Sequence, residues 1–159
     1  MINIRTATPS DISVMLAFIH ELADFEREPH SVHMTEEQLL EDGFGKNPQY
    51  ESLIAEWDGA PAAWALFFPF YSTWEGRGVH LEDLFVRPAF RGRGIGKALL
   101  QRVAALTAER GGKRLQWQVL NWNTPAINFY QSIDAVMLDE WRLMRVSGDV
   151  LNSFAGTSE

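Results

Sequence analysis

The spacing of apolar residues changes several times along this chain, and each change marks an element. Ile2 to Thr6 reads as a short first strand. Ser10 stands as an N-cap ahead of Ile12, Met15, Leu16, Ile19, Leu22 and Phe25, which recur at helical spacing until Pro29. Thr35 with Gln38 makes a capping box for a second helix through Leu39 and Leu40, stopped near Gly43. Glu51 to Trp57 and Ala62 to Phe70 flank Asp58-Gly59, the turn pair of a tight hairpin. Val79 to Val86 alternates apolar and polar residues and closes at Arg87-Pro88, where proline removes a ladder donor. Helical spacing returns from Gly96 to Arg110, with Leu99, Leu100, Val103 and Leu106 for packing and Gly111-Gly112 at its end. Arg114 to Leu120 is the next strand. Thr124-Pro125 caps and opens a helix carrying Ile127, Phe129 and Tyr130, with Phe129 assigned to the core. Val136 to Leu138 and Trp141 to Val146 are the last strands, and the chain loosens into a tail from Ser153.

The pattern is α/β without repeats or a linker, and it predicts one domain over residues 1–150 with a tail over 151–159. Hydrophobic residues make up 46% of the 159, with six tryptophans and ten phenylalanines, so disorder is excluded. There is no cysteine, which excludes disulfides, thiolate metal sites and a cysteine nucleophile, and suits a reducing cytoplasm. The start has no signal-peptide pattern and no apolar run approaches membrane-spanning length, so neither secretion nor a membrane partner is expected. A formal net charge of −7 disfavours nucleic acid as a partner and mildly favours a cationic small molecule. The histidines at 20, 30, 33 and 80 lack metal-ligand spacing and read as surface or hydrogen-bonding residues, and no metal is expected.

One stretch carries chemistry directly. Phe90-Arg91-Gly92-Arg93-Gly94-Ile95-Gly96-Lys97 joins a strand to a helix through an arginine-glycine loop. Its glycines let several N–H groups converge on one anion, and the helix N-terminus adds unpaired donors and dipole. Two commoner phosphate motifs fail on spacing. A Walker A loop needs glycine and Ser/Thr where Arg91 and Ala98 stand, and a dinucleotide fingerprint needs glycine or alanine where Lys97 or Leu99 stand. The remaining pattern, Arg91-x-x-Gly94-x-Gly96, resembles the pyrophosphate-binding signature of the GNAT acetyltransferases.

The resemblance widens along the chain. His80-Leu81-Glu82-Asp83-Leu84-Phe85-Val86, Trp122 to Tyr130 and Trp141-Arg142-Leu143 follow the order and spacing of the spermidine/spermine (diamine) N-acetyltransferase branch. Glu21 to Glu26 and Leu39 to Gly45 are similar to it as well. The resemblance implies a GNAT fold, a mixed, mostly antiparallel sheet of about six to seven strands flanked by about four helices. It also implies a homodimer that uses acetyl-CoA as co-substrate and acetylates a polyamine or the lysine-like amino acid thialysine.

Residue by residue, the resemblance assigns Glu82 as acceptor of the amine proton and Tyr130 as proton donor to the departing thiolate. It assigns Leu84, Phe85 and Val86 to the pantetheine arm through main-chain N–H groups. Arg91, Gly92, Arg93, Gly94, Ile95, Gly96 and Lys97 go to the pyrophosphate, and Asn123, Thr124, Pro125 and Ala126 to further coenzyme contacts. Substrate contacts fall on Phe25, Glu26, Trp74, Glu82, Asp83, Asp139 and Trp141, acids and aromatic walls that suit an alkylammonium. Strand alternation predicts that Glu82 and Asp83 point to opposite faces. Two departures stand out: Ser72 replaces an acid carried by polyamine acetylators, and Asp134 replaces a helix-ending glycine. The missing acid makes a short diamine or thialysine-like substrate a rival to spermidine. A catalytically idle acyl-CoA sensor and a protein N-acetyltransferase remain as alternative functions.

Overall fold

The computed structural model describes residues 1–157. The chain forms two compact units, Met1–Leu120 and Asn121–Glu159, the second described as far as Thr157.

The first unit contains β1 (Ile2–Thr6), α1 (Ile12–Phe25), α2 (Glu36–Phe44), β2 (Glu51–Trp57), β3 (Ala60–Ser72), β4 (Gly76–Val86), α3 (Ile95–Glu109) and β5 (Arg114–Gln116). The strands form one five-stranded sheet in the order β1-β2-β3-β4-β5. Its first three pairings are antiparallel and the last is parallel. Asp58 and Gly59 take positive φ at the β2–β3 turn, as its sequence requires.

One apolar cluster joins α1 and α2 to the sheet. Ile12, Met15 and Phe18 of α1 and Leu39 of α2 meet Ile54, Trp64, Leu66 and Phe85 of β2, β3 and β4. The Phe18 and Trp64 rings lie parallel with centroids 6.1 Å apart. Trp64 is fully buried, so its indole N–H needs a partner, and it donates to Ser52 Oγ at 2.7 Å. Ser52 in turn donates to the Ala65 carbonyl at 3.0 Å.

The start of α1 differs from the sequence reading. Ser10 lies inside a 3-10 turn, Pro9–Asp11, and does not cap the helix. Asp11 accepts from the Thr8 N–H at 2.7 Å and from Arg5 through two bonds of 2.8 Å. The Arg5 guanidinium therefore holds the Asp11 carboxyl well below the usual carboxylate range and ties the turn to β1.

The second unit contains α4 (Thr124–Ser132) and α5 (Gly148–Phe154). Asn123, not Thr124, caps α4, its side chain accepting from the Ala126 N–H at 3.4 Å. That moves Pro125 to the second helical position, where its missing donor is equally harmless. Asp134 takes φ 62°, filling the left-handed position where glycine was the expected residue.

Among the described residues, five strands form where about six to seven were expected, and five α-helices where about four were. Arg114 to Leu120 is strand only over its first three residues, because three residues are all that pair with β4. Val136–Leu138 and Trp141–Val146 form no strand. Alternation becomes a strand only through a ladder, and here main-chain bonds run locally, from Ala135 to Tyr130 and from Trp141 to Leu138. Residues 151–154, expected in the tail, continue α5; Ser158 and Glu159 lie outside the described residues. Among the described residues no helix is long and apolar enough to cross a membrane.

Replacing Ser52 with Ala strands the Trp64 N–H in the core. The expected loss is about 1–3 kcal/mol in urea unfolding, and Trp64→Phe added to it should cost less than Trp64→Phe alone.

Candidate active site

The ladder between β3 and β4 skips one residue. Leu66 pairs with Asp83 and Phe67 with Leu81, so Glu82 is the extra residue of a β-bulge. Directly opposed residues share a face, so Asp83 and Phe85 lie with Leu66 and Trp64 on the side covered by α1. Beyond the skip, His80 opposes Phe68, which packs against the same cluster, with ring centroids 5.1 Å apart. His80 and Asp83, an odd number of residues apart, thus share a face. Glu82 joins them, its Oε2 lying 3.3 Å from His80 Nε2. The expectation that Glu82 and Asp83 point to opposite faces is corrected by this bulge, which interrupts the alternation on which it rested.

A third carboxylate comes from α1. Glu26 is its C-cap, with its N–H donating to the Leu22 carbonyl at 2.8 Å, and Arg27 ends the helix at φ 65°. Burial, with repulsion from Glu82 and then Glu26, pushes the Asp83 carboxyl up to about 7. Burial and the charge of Glu82 push Glu26 up as well. Three acids held this way form a cluster of negative potential that an ammonium relieves.

β4 leads directly to the glycine loop. Gly92 and Gly94 take φ 75° and 76°, and a Cβ added at either would meet nothing within 4 Å. The loop therefore presents main chain at an open surface. Gly94 is the N-cap of α3, and the first helical bond runs from Ala98 N–H to its carbonyl. The amides of Ile95, Gly96 and Lys97 precede that ladder and point out of the helix N-terminus, which fits an anion.

The two arginines are engaged elsewhere. Arg91 donates from Nε to the Val86 carbonyl at 2.9 Å, with its guanidinium carbon 5.1 Å from the Phe25 ring centroid and 5.7 Å from that of Phe85. Arg93 lies 4.9 Å from the Trp57 centroid and 5.7 Å from that of Phe90. Both brace the loop against the sheet. The strand edge beside it is open too. β5 pairs with β4 only from Gly78 to His80, so among the described residues Leu84, Phe85 and Val86 have a ladder partner on the β3 side alone. An extended, amide-bearing ligand fits such an edge.

Trp74, expected to contact substrate, is placed apart from this acidic cluster. It sits at the exposed tip of the β3–β4 hairpin, about 20 Å along the strand from Glu82 at the usual rise per residue. Ser72 at that tip accepts from the N–H groups of Trp74 and Glu75 and from Arg114, each at 3.2 Å, while Arg114 Nη2 pairs with Glu75 at 2.6 Å. The remaining expected residues belong to the second unit. There Asn123 caps α4, whose first residues are Thr124, Pro125 and Ala126. Tyr130 is half-buried beside Phe129, with ring centroids 5.4 Å apart, and burial raises its hydroxyl above the ordinary phenol range. Asp139 and Trp141 are exposed on the segment between α4 and α5. His80 is the site residue that sequence reading misses; the rule that residues i and i+2 of a strand share a face supplies the signal for it.

Comparison with known proteins fits this geometry. The Acetyltransferase (GNAT) family matches residues 15–134. A thialysine N-epsilon-acetyltransferase of Mus musculus is 38% identical over 97% of both chains. An L-ornithine N5-acetyltransferase of Arabidopsis thaliana is 30% identical over 95% of this chain and 86% of its own. The aminoglycoside N-acetyltransferase AAC(6')-Iy, solved in complex with CoA, superposes with a TM-score of 0.73 at 20% identity, over 94% of this chain and 95% of that one. Fold and family together define an acetyl-CoA-dependent N-acetyltransferase. The chain belongs to the GNAT acetyltransferase family.

The raised Asp83 carboxyl sets a pH dependence of stability. Between its ordinary value of 3.8 and about 7 the native protein binds this proton more tightly than the unfolded chain does. Stability therefore declines as pH rises through that window. Asp83→Asn should flatten this part of the curve and make the protein more stable than the parent above pH 7, as read by thermal unfolding across pH.

Proposed function

We propose that this enzyme acetylates the side-chain amine of a small, lysine- or ornithine-like amino acid in preference to a long polyamine. The observation that carries the proposal is the convergence of Glu26, Glu82 and Asp83 beside the bulge, on the strand that runs into the glycine loop.

An alkylammonium has a pKa near about 10 and must lose a proton before its nitrogen can attack. Glu26 and Asp83 hold the cation, and Glu82, more open than Asp83, takes the proton. When bound, acetyl-CoA supplies the activated acyl carbon and a thiol leaving group. The loop amides from Gly92 to Lys97 hold its pyrophosphate, and the open edge at Leu84, Phe85 and Val86 holds its extended arm. Tyr130 gives its proton to the departing sulfur. Its raised pKa keeps that proton in place until sulfur has taken up negative charge.

Two features support the choice of substrate. Where polyamine acetylators carry an acid, this chain has Ser72, whose hydroxyl is occupied by the hairpin and by the cationic Arg114. A second ammonium finds no carboxylate offered there by Ser72. The thialysine and ornithine acetyltransferases named above also match nearly the whole chain.

The span of the family match, 15–134, crosses from one compact unit into the other and supports reading residues 1–150 as a single acetyltransferase domain. The reading includes Asn123, Asp139 and Trp141 as ligand contacts, a homodimer, and a cytoplasmic location suited to a chain without cysteine.

Thiol release from acetyl-CoA should be faster with thialysine or ornithine than with spermidine, by about tenfold or more in kcat/KM, the worth of one charge-assisted hydrogen bond. Silence with all amines overturns the proposal, and preference for spermidine overturns its substrate half. Tyr130→Phe should lower kcat by about a hundredfold while CoA binding in calorimetry stays unchanged. Gly94→Ala, forced to positive φ, should weaken CoA binding instead.

A further inference from the structure

We propose that His80 is a positioning residue for Glu82, holding its carboxylate in the orientation from which it takes the proton of the acceptor amine. The inference rests on the reading of Glu82 as general base. His80 Nε2 lies 3.3 Å from Glu82 Oε2, and the imidazole side chain is only 16% exposed against 55% for Glu82. The histidine is thus the held partner and the glutamate the open one. Phe68 lies against the ring with centroids 5.1 Å apart, and its own packing on the core cluster limits the rotation of the imidazole.

The need for such a partner follows from the bulge. A bulged residue lacks the flanking ladder register that fixes its neighbours, and an exposed glutamate has several rotamers to choose from. A general base must meet its proton at hydrogen-bond distance, so a freely rotating carboxylate spends most of its time misplaced. Contact of Nε2 with Oε2 leaves Oε1 for the substrate. The other titratable groups around Glu82, Asp83 on β4 and Glu26 at the end of α1, are both carboxylates, and each repels it when ionised. Phe68 on β3 and Gln116 on β5, the ladder partners of His80, carry no charge. Of these groups, only the imidazole combines a donor with a fixed ring.

The proton count closes without any change at His80. The ammonium gives one proton to Glu82, which returns it to solvent after turnover. The second amine proton leaves as the C–N bond forms, matching the one taken up by sulfur as the C–S bond breaks.

Two substitutions separate positioning from mere packing. His80→Leu removes the donor and keeps bulk against Phe68, whereas His80→Gln restores an N–H close to the position of Nε2. Expected for His80→Leu is a fall of about tenfold in kcat with KM for acetyl-CoA unchanged, and His80→Gln should recover most of it. Full activity in His80→Leu, or no recovery in His80→Gln, overturns the inference. A double-mutant cycle of urea unfolding with His80→Leu and Glu82→Ala reads the interaction without any turnover. It should be non-additive; additivity alongside normal amine acetylation overturns this inference alone. Failure of the unaltered enzyme to acetylate any amine overturns the reading of Glu82 as base, and the role of His80 with it.

Discussion

A single skipped residue in the β3–β4 ladder gathers the acidic residues of this protein on one face. Without it, Glu82 and Asp83 would project to opposite sides of the sheet, and no single ligand could meet both. With it, two adjacent carboxylates and a histidine share the face covered by α1, where Glu26 arrives from the helix end. The cost is visible in the electrostatics: Asp83 is buried among like charges and holds its proton up to about 7. Such strain persists only because the surrounding register is fixed, from Leu66 and Trp64 on one side of the skip to Phe67 and Phe68 on the other.

The glycine loop depends on the same strand. β4 ends at Val86, and Arg91 reaches back to its carbonyl while lying over Phe25 and Phe85. Loop, strand and the end of α1 are therefore braced together. The Arg91 side chain holds the scaffold through its Nε and its stacking, and the loop's main chain lies open beside it.

Much of this was legible in the sequence, and the failures share one cause. The capping box at Thr35, the Asp58-Gly59 turn, the glycine loop opening α3 and the left-handed Asp134 are local, dictated by residues within a few positions of one another. The bulge is different, because nothing in Leu81-Glu82-Asp83 announces which ladder partner will be skipped. The same holds for Val136–Leu138 and Trp141–Val146, whose alternation states a preference that only pairing can realise. Ser10 failed as a cap because Arg5, on a different element, recruits Asp11 instead.

The shortness of β5 has a consequence of its own. Beyond His80 its ladder with β4 ends, and a row of main-chain donors and acceptors next to the glycine loop goes without a β5 partner. Such a row is a template for any extended backbone, including that of another folding copy. Whatever molecule lies along it shields it from that fate, and by mass action it also weights the equilibrium toward the native chain.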